Sequence, residues 1–134
     1  KLRVSNYNSL VNKELYCVGE CSQKLISVLS KNNKLIIYKD KITDKDRENI
    51  KKYNCKYTWG NQYNLPCKSG EIANILWFPQ QGNLYQEYVF NELMRILSIG
   101  GQLYIWAEYL SPEIKNKISI TVNHTAKFIE ITKE

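Results

Sequence analysis

Ser69 to Tyr109 reads SGEIANILWFPQQGNLYQEYVFNELMRILSIGGQLYIWAEY, and its pattern decides the fold. Ile72 to Phe78 is an apolar run of the length of a buried strand. Leu84 to Ile99 has helical apolar spacing, and Gly100-Gly101 is expected to stop that helix. Leu103 to Ala107 is a second apolar run. A strand, a crossover helix and a second strand make one right-handed βαβ unit of a parallel sheet. Ligands on such sheets sit beyond the carboxyl ends of the strands, so functional residues are sought there.

Upstream, the same alternation continues. Glu14 to Gly19 reads as a strand ending at a glycine, and Leu25, Ile26, Val28 and Leu29 as a short amphipathic helix. Lys34 to Lys39 is a second strand with Asp40 just beyond it. Thr43 to Tyr53 reads as a helix, with Thr43 as N-cap and Asp44 and Asp46 in its first turn. Cys55 to Trp59 is a third strand, and Asn61 to Gly70 a loop. Downstream, Ser111 and Pro112 form an N-cap and N1 pair for a helix to about Lys117. Ile118 to Thr132 alternates as an antiparallel hairpin turning near Asn123-His124. Lys1 to Lys13 reads as a lead-in segment. The expected fold is α/β: a doubly wound, Rossmann-like, mostly parallel sheet with a C-terminal antiparallel β-hairpin. At 134 residues the chain is read as one domain with one core.

Bulk properties bound the function. Hydrophobic residues make up 43% and charged residues 24%, as in a soluble globular protein. No window approaches the roughly 20 apolar residues of a membrane span, and no signal-peptide pattern begins the chain. Net charge is +6, and a lysine-rich surface suits a polyanion such as RNA or reflects compositional bias alone. Cys17, Cys21, Cys55 and Cys67 have no zinc spacing and read as free, largely buried thiols in a reducing interior. His124 reads as a solvated turn residue, and Tyr85, Tyr88, Tyr104 and Tyr109 as amphipathic packing residues.

Glu92-Leu93-Met94-Arg95-Ile96-Leu97-Ser98-Ile99-Gly100-Gly101-Gln102-Leu103-Tyr104-Ile105 resembles the "E-x-x-R-x-L-x-x-G-G-x-L-x-I" helix and strand of class I S-adenosylmethionine-dependent methyltransferases. The resemblance implies S-adenosylmethionine as cofactor. It implies cofactor-binding roles for Val18, Gly19 and Glu20 after the first strand and for Asp40, matching the carboxylate that takes the ribose hydroxyls. It implies the same for Asn61 and Gln62, in a "G-D-x-x-x-L-P"-like loop where Asn61 replaces the acid, and for Trp77. Phe78, Pro79 and Gln80 fall where the family places substrate-facing residues. The chain departs from the family where Glu20 and Cys21 replace glycines, so the alternative is a methyltransferase fold without catalysis, serving as a binding or scaffold module. Gly101 to Tyr109 is further similar to a segment of eukaryotic tRNA wobble-uridine carboxymethyl methyltransferases, which implies a tRNA substrate and a small zinc-binding activator subunit as partner; the free thiols lead to the expectation of a cytoplasmic setting.

Overall fold

The computed structural model describes residues 10–118 and 128–134, together with the backbone of residues 2–5. Seven strands form one sheet in the order β1-β7-β6-β5-β2-β3-β4. They are β1 (Leu2–Ser5), β2 (Glu14–Gly19), β3 (Lys34–Tyr38), β4 (Cys55–Thr58), β5 (Ile72–Phe78), β6 (Leu97–Trp106) and β7 (Phe128–Thr132). The helices are α1 (Gln23–Leu29), α2 (Asp44–Lys52), α3 (Gln86–Ile96) and α4 (Pro112–Lys117). Strands β2 to β6 run parallel, and β7 pairs antiparallel with both β6 and β1. The doubly wound, mostly parallel sheet with an antiparallel C-terminal element is therefore the fold.

The antiparallel partners differ in detail from the expected hairpin. Strand β7 lies between β6 and the N-terminal β1, so residues 2–5 of the expected lead-in are an edge strand. Ile118, where the expected hairpin begins, closes α4 instead, and the rest of its first arm and the turn at His124 fall within residues 119–127, outside the described residues.

Each face of the sheet carries an apolar layer, as continuous apolar parallel strands require. Ile26 and Leu29 of α1 pack with Leu15, Cys17, Leu35, Ile37 and Leu76 on one face. Val89, Phe90, Leu93 and Ile96 of α3, Ile114 of α4, and Leu65 of the crossover between β4 and β5 pack with Val18, Ile75, Trp77, Leu103 and Ile105 on the other. Helix α2 docks differently. Its buried residues are polar: Asp46 takes the Lys39 ammonium at 2.9 Å, and Asn49 exchanges bonds with Gln23 and donates to the Tyr57 hydroxyl. Thr43 caps α2 as expected, in a full capping box with Asp46.

The central helix is shorter than its apolar spacing suggested. Leu84 and Ile99, the expected ends, are 90% and 81% exposed. Asn83 Oδ1 accepts the Tyr85 N–H at 2.8 Å, so the chain turns before α3 begins. At the other end Leu97 leaves the helix to pair with Ile72 and is fully buried. The glycine pair consequently turns the start of β6 rather than stopping α3. A Cβ on Gly101 would stand 2.8 Å from the Ala73 and Ser98 carbonyl oxygens. The last turn of α3 is capped from far away in sequence: Lys133 Nζ donates to the Met94 and Leu97 carbonyls at 2.6 and 2.8 Å.

Candidate functional site

The winding reverses between β2 and β5: one half of the sheet extends from β2 through β3 and β4, the other from β5 through β6. A crevice is expected beyond the carboxyl ends of the strands at such a point. A cavity of 380 Å³ opens there, lined by Gly19, Glu20, Tyr38, Lys39, Asp40, Gly60, Asn61, Gln62, Tyr63 and Gln80.

Backbone crowding builds the first wall. Gly19 is in register with Phe78 on β5. Its φ is +99°, and an added Cβ would lie 2.2 Å from the Phe78 carbonyl oxygen. Only glycine fits both conditions. Glu20 follows on the rim, exposed. Ser22 Oγ then accepts the Leu25 N–H at 3.2 Å and caps α1.

Asp40 lies exposed just past β3. Lys39 beside it is committed to Asp46, which is also held by the Thr43 N–H at 2.8 Å. Burial works against the Asp46 carboxylate, but the Thr43 and Lys39 hydrogen bonds outweigh it and hold its pKa below the ordinary value. Tyr38 is buried against the cleft. Burial first, and the Asp40 charge second, push its hydroxyl above the ordinary pKa.

The opposite wall is the loop after β4. Asn61 Oδ1 accepts the Tyr63 N–H at 2.8 Å, closing a local turn. The loop is tethered from α3 by the Glu92 and Arg95 of the E-x-x-R pattern. Glu92, 9% exposed, accepts the Leu65 N–H and two bonds from the Arg95 guanidinium. Arg95 also donates to the Cys67 and Leu65 carbonyls at 3.0 and 3.3 Å. The Arg95 hydrogen bond is the main cause of a lowered Glu92 pKa; burial opposes it, and the Leu65 N–H adds to it. The motif thus holds the loop that presents Asn61 to the cleft. Local pattern gives no sign of this tether, because its partners lie 27 to 30 residues upstream.

Of the residues singled out from sequence, the cleft brings together Gly19, Glu20, Asp40, Asn61, Gln62 and Gln80. Val18 and Trp77 are elsewhere: their side chains are 0% and 2% exposed within the layer under α3. Alternation along a strand explains this, since a residue at a strand end still points into one face or the other. Phe78 and Pro79 are buried too. The Phe78 ring joins the opposite layer, 6.3 Å from Trp106 and 6.4 Å from Phe128 between centroids. The cleft adds Tyr38, Lys39, Gly60 and Tyr63 to the residues read from sequence. Position alone could have found the first three, which flank Asp40 and Asn61; nothing in the pattern marked Tyr63.

Tyr85, Tyr88 and Tyr109 are not packing residues. They are 58%, 65% and 42% exposed, and only Tyr104 of the four is buried. All four cysteines are free, Cys17 and Cys55 buried and the other two half-buried. Burial, then the neighbouring Cys55 and Glu20, push the Cys21 thiol up to about 12. Among the described residues no group of histidine, cysteine, aspartate or glutamate is arranged to hold a metal ion, and no helix is long and apolar enough to cross a membrane.

No protein-family model matches the chain, and no curated protein matches it in sequence. Solved structures do match in shape. A SAM-dependent methyltransferase from Aquifex aeolicus superposes with a TM-score of 0.60 at 15% identity, over 92% of this chain and 82% of its own. Geranyl diphosphate methyltransferase in complex with SAM gives 0.55 at 13% identity, over 89% and 56%. A Galdieria sulphuraria protein described as a sarcosine dimethylglycine methyltransferase gives 0.57 at 14% identity, over 71% and 39%. The chain thus spans less than two thirds of the last two and most of the first. At these identities the likeness is one of fold: the chain folds as class I S-adenosylmethionine-dependent methyltransferases do.

Proposed function

We propose that the cleft binds S-adenosylmethionine and that the chain is the cofactor-binding unit of a methyltransferase. One observation carries this reading above a general nucleotide site. Glu20 and Asp40 are among the residues lining the cleft, and the one lining cation among the described residues, Lys39, is bonded to Asp46. Such a cleft repels phosphates and favours a ligand with positive charge and hydroxyls. A dinucleotide needs the reverse, with open backbone N–H groups at a helix N-terminus, and Ser22 already occupies that of α1.

The residues have separable tasks. Asp40 accepts hydrogen bonds from a ribose. Asn61, whose Oδ1 is used within its own loop, offers its Nδ2 donor to an adenine ring nitrogen. Glu20 faces the positive charge, and the Gly19 backbone, fixed against β5, forms the floor beside it. When bound, the cofactor supplies a sulfonium methyl that an acceptor's lone pair takes, leaving a neutral thioether. Alignment and exclusion of water suffice for that step.

The scaffold alternative expected Glu20 or Cys21 to fill the cleft. Glu20 is exposed and lines a cleft that stays open at 380 Å³, and Cys21 is not among the lining residues. The tRNA acceptor and the zinc-binding activator rested on Gly101 to Tyr109 and the net charge, and the cytoplasmic setting on the free thiols alone. In the fold this segment is the end of β6 and a 3-10 turn, and Trp106 packs 5.2 Å from Phe128 between centroids. The proposal is therefore confined to methyl transfer.

Calorimetric titration with S-adenosylhomocysteine tests it. Binding is expected, weakened at least tenfold by Asp40→Ala, with the melting temperature unchanged because Asp40 is exposed. Absence of binding by well-folded protein would end the proposal.

A further inference from the structure

We infer that a groove beside the cleft binds an uncharged, planar aromatic ligand. The groove has a volume of 610 Å³, within the range of small-molecule sites, and is lined by Tyr63, Tyr85, Tyr88, Asn91, Glu92 and Arg95. Its residues from α3 recur at helical spacing and form one stripe along the helix, with the loop after β4 as the facing wall.

Exposure and ring geometry mark the site. Tyr63, Tyr85 and Tyr88 are 40%, 58% and 65% exposed. Tyr63 and Tyr85 meet edge to face at 6.4 Å, and Tyr85 and Tyr88 tilt together at 6.1 Å. The cluster orders its own rings while leaving π-surface open, and a flat ring can stack or pack edge-on there. Clustering three exposed aromatics has a cost in solubility that isolated surface tyrosines do not.

Charge selects the ligand class. Arg95 and Glu92 at the groove are bonded to each other and to the backbone of the loop. Asn91 accepts from Lys117 at 3.0 Å, and Lys117 also pairs with Glu87. Among the described residues no groove charge is left to balance a phosphate, carboxylate or ammonium, so the groove favours an uncharged ring. Asn83 reinforces the arrangement by donating to the Tyr63 hydroxyl at 3.3 Å, which links the loops after β4 and β5.

Tyr63 lines both the groove and the cleft. Resting on the methyltransferase reading, the ligand is the methyl acceptor, held by its ring at the tyrosines. The probe is 2-naphthol, a neutral fluorescent bicycle, titrated into the full chain with and without S-adenosylhomocysteine. Saturable 2-naphthol binding is expected, reduced at least tenfold in Tyr85→Ala/Tyr88→Ala, while S-adenosylhomocysteine affinity stays within twofold of wild type. Equal 2-naphthol binding by the double variant, or none by wild type that binds S-adenosylhomocysteine, would overturn the groove and leave the cofactor reading intact. Binding of 2-naphthol at the tyrosines without S-adenosylhomocysteine binding would keep the groove and remove its role as an acceptor site. A wild-type dimer that the double variant converts to monomer in sedimentation would assign the patch to a second copy and overturn the inference.

Discussion

The two walls of the cleft are held by different physics. At the switch point Gly19 presses its bare Cα against the Phe78 carbonyl, and main-chain contact alone sets the geometry. Across the cleft, the loop carrying Asn61 depends on two side chains of α3, Glu92 and Arg95, reaching its backbone. A wall made of packed backbone has no adjustable part, whereas a wall tied by an ion pair responds to pH and to point changes. The difference suggests where the fold tolerates variation: the family's later glycines are replaced by Glu20 and Cys21, yet Gly19 stands where a Cβ cannot.

Breaking the first wall should have the largest effect. Gly19→Ala places a Cβ within 2.2 Å of an oxygen at a positive φ, a cost of about 4 kcal/mol or more. The expected result is poor soluble yield or a melting temperature lowered by about 15 °C. A fully stable variant would show that β2 and β5 can separate. Breaking the second wall should cost less. Glu92→Ala leaves the Leu65 N–H and the Arg95 guanidinium without their acceptor, an effect of about 3 kcal/mol, read as a melting temperature about 10 °C lower. Loss of S-adenosylhomocysteine affinity should accompany it, since the loop presents Asn61.

Acid sharpens the comparison. Glu92 has a folded pKa below its ordinary value. Its contribution is complete above the unfolded pKa of about 4.3 and is lost as pH falls through the lower folded value. Thermal melts between pH 3 and 6 should therefore show stability declining on the acid side, with a shallower decline in Glu92→Gln. An unchanged slope would remove the ion pair from the account. The smallest effect is expected where the walls approach one another under the cleft. Among the described residues the Tyr16 hydroxyl on β2 is buried with no oxygen or nitrogen partner, and only the Cys67 thiol of the opposite loop, a weak acceptor, stands near it. Tyr16→Phe should stabilise the fold by about 1 kcal/mol, measured by denaturant midpoint.

What was readable in the chain follows from the range of the interactions involved. Ile72–Phe78, the Thr43 capping box and the Ser111-Pro112 helix start are set by neighbours a few residues apart, and each lies where its pattern indicated. Helix α3 ends early because Leu97 is claimed by Ile72 and capped by Lys133, contacts spanning 25 residues or more that local spacing does not encode. The N-terminal strand was missed because a short edge strand needs only a partner, here β7, and little apolar pattern of its own. Strand-end position led to Gly19, Asp40 and Asn61, which line the cleft, and also to Val18 and Trp77, whose side chains alternate into the core. The tyrosine groove was illegible for a related reason. Helical spacing of aromatics looks the same whether a layer covers them or solvent does.

The most direct test of the cofactor reading is a crystal structure of the chain with S-adenosylhomocysteine. The account predicts the ribose on Asp40, the adenine on Asn61 and the methionine portion at the Gly19 turn, with Glu92 and Arg95 still gripping the loop. Ligand located outside this cleft, or a cleft left empty at saturating ligand, would contradict it.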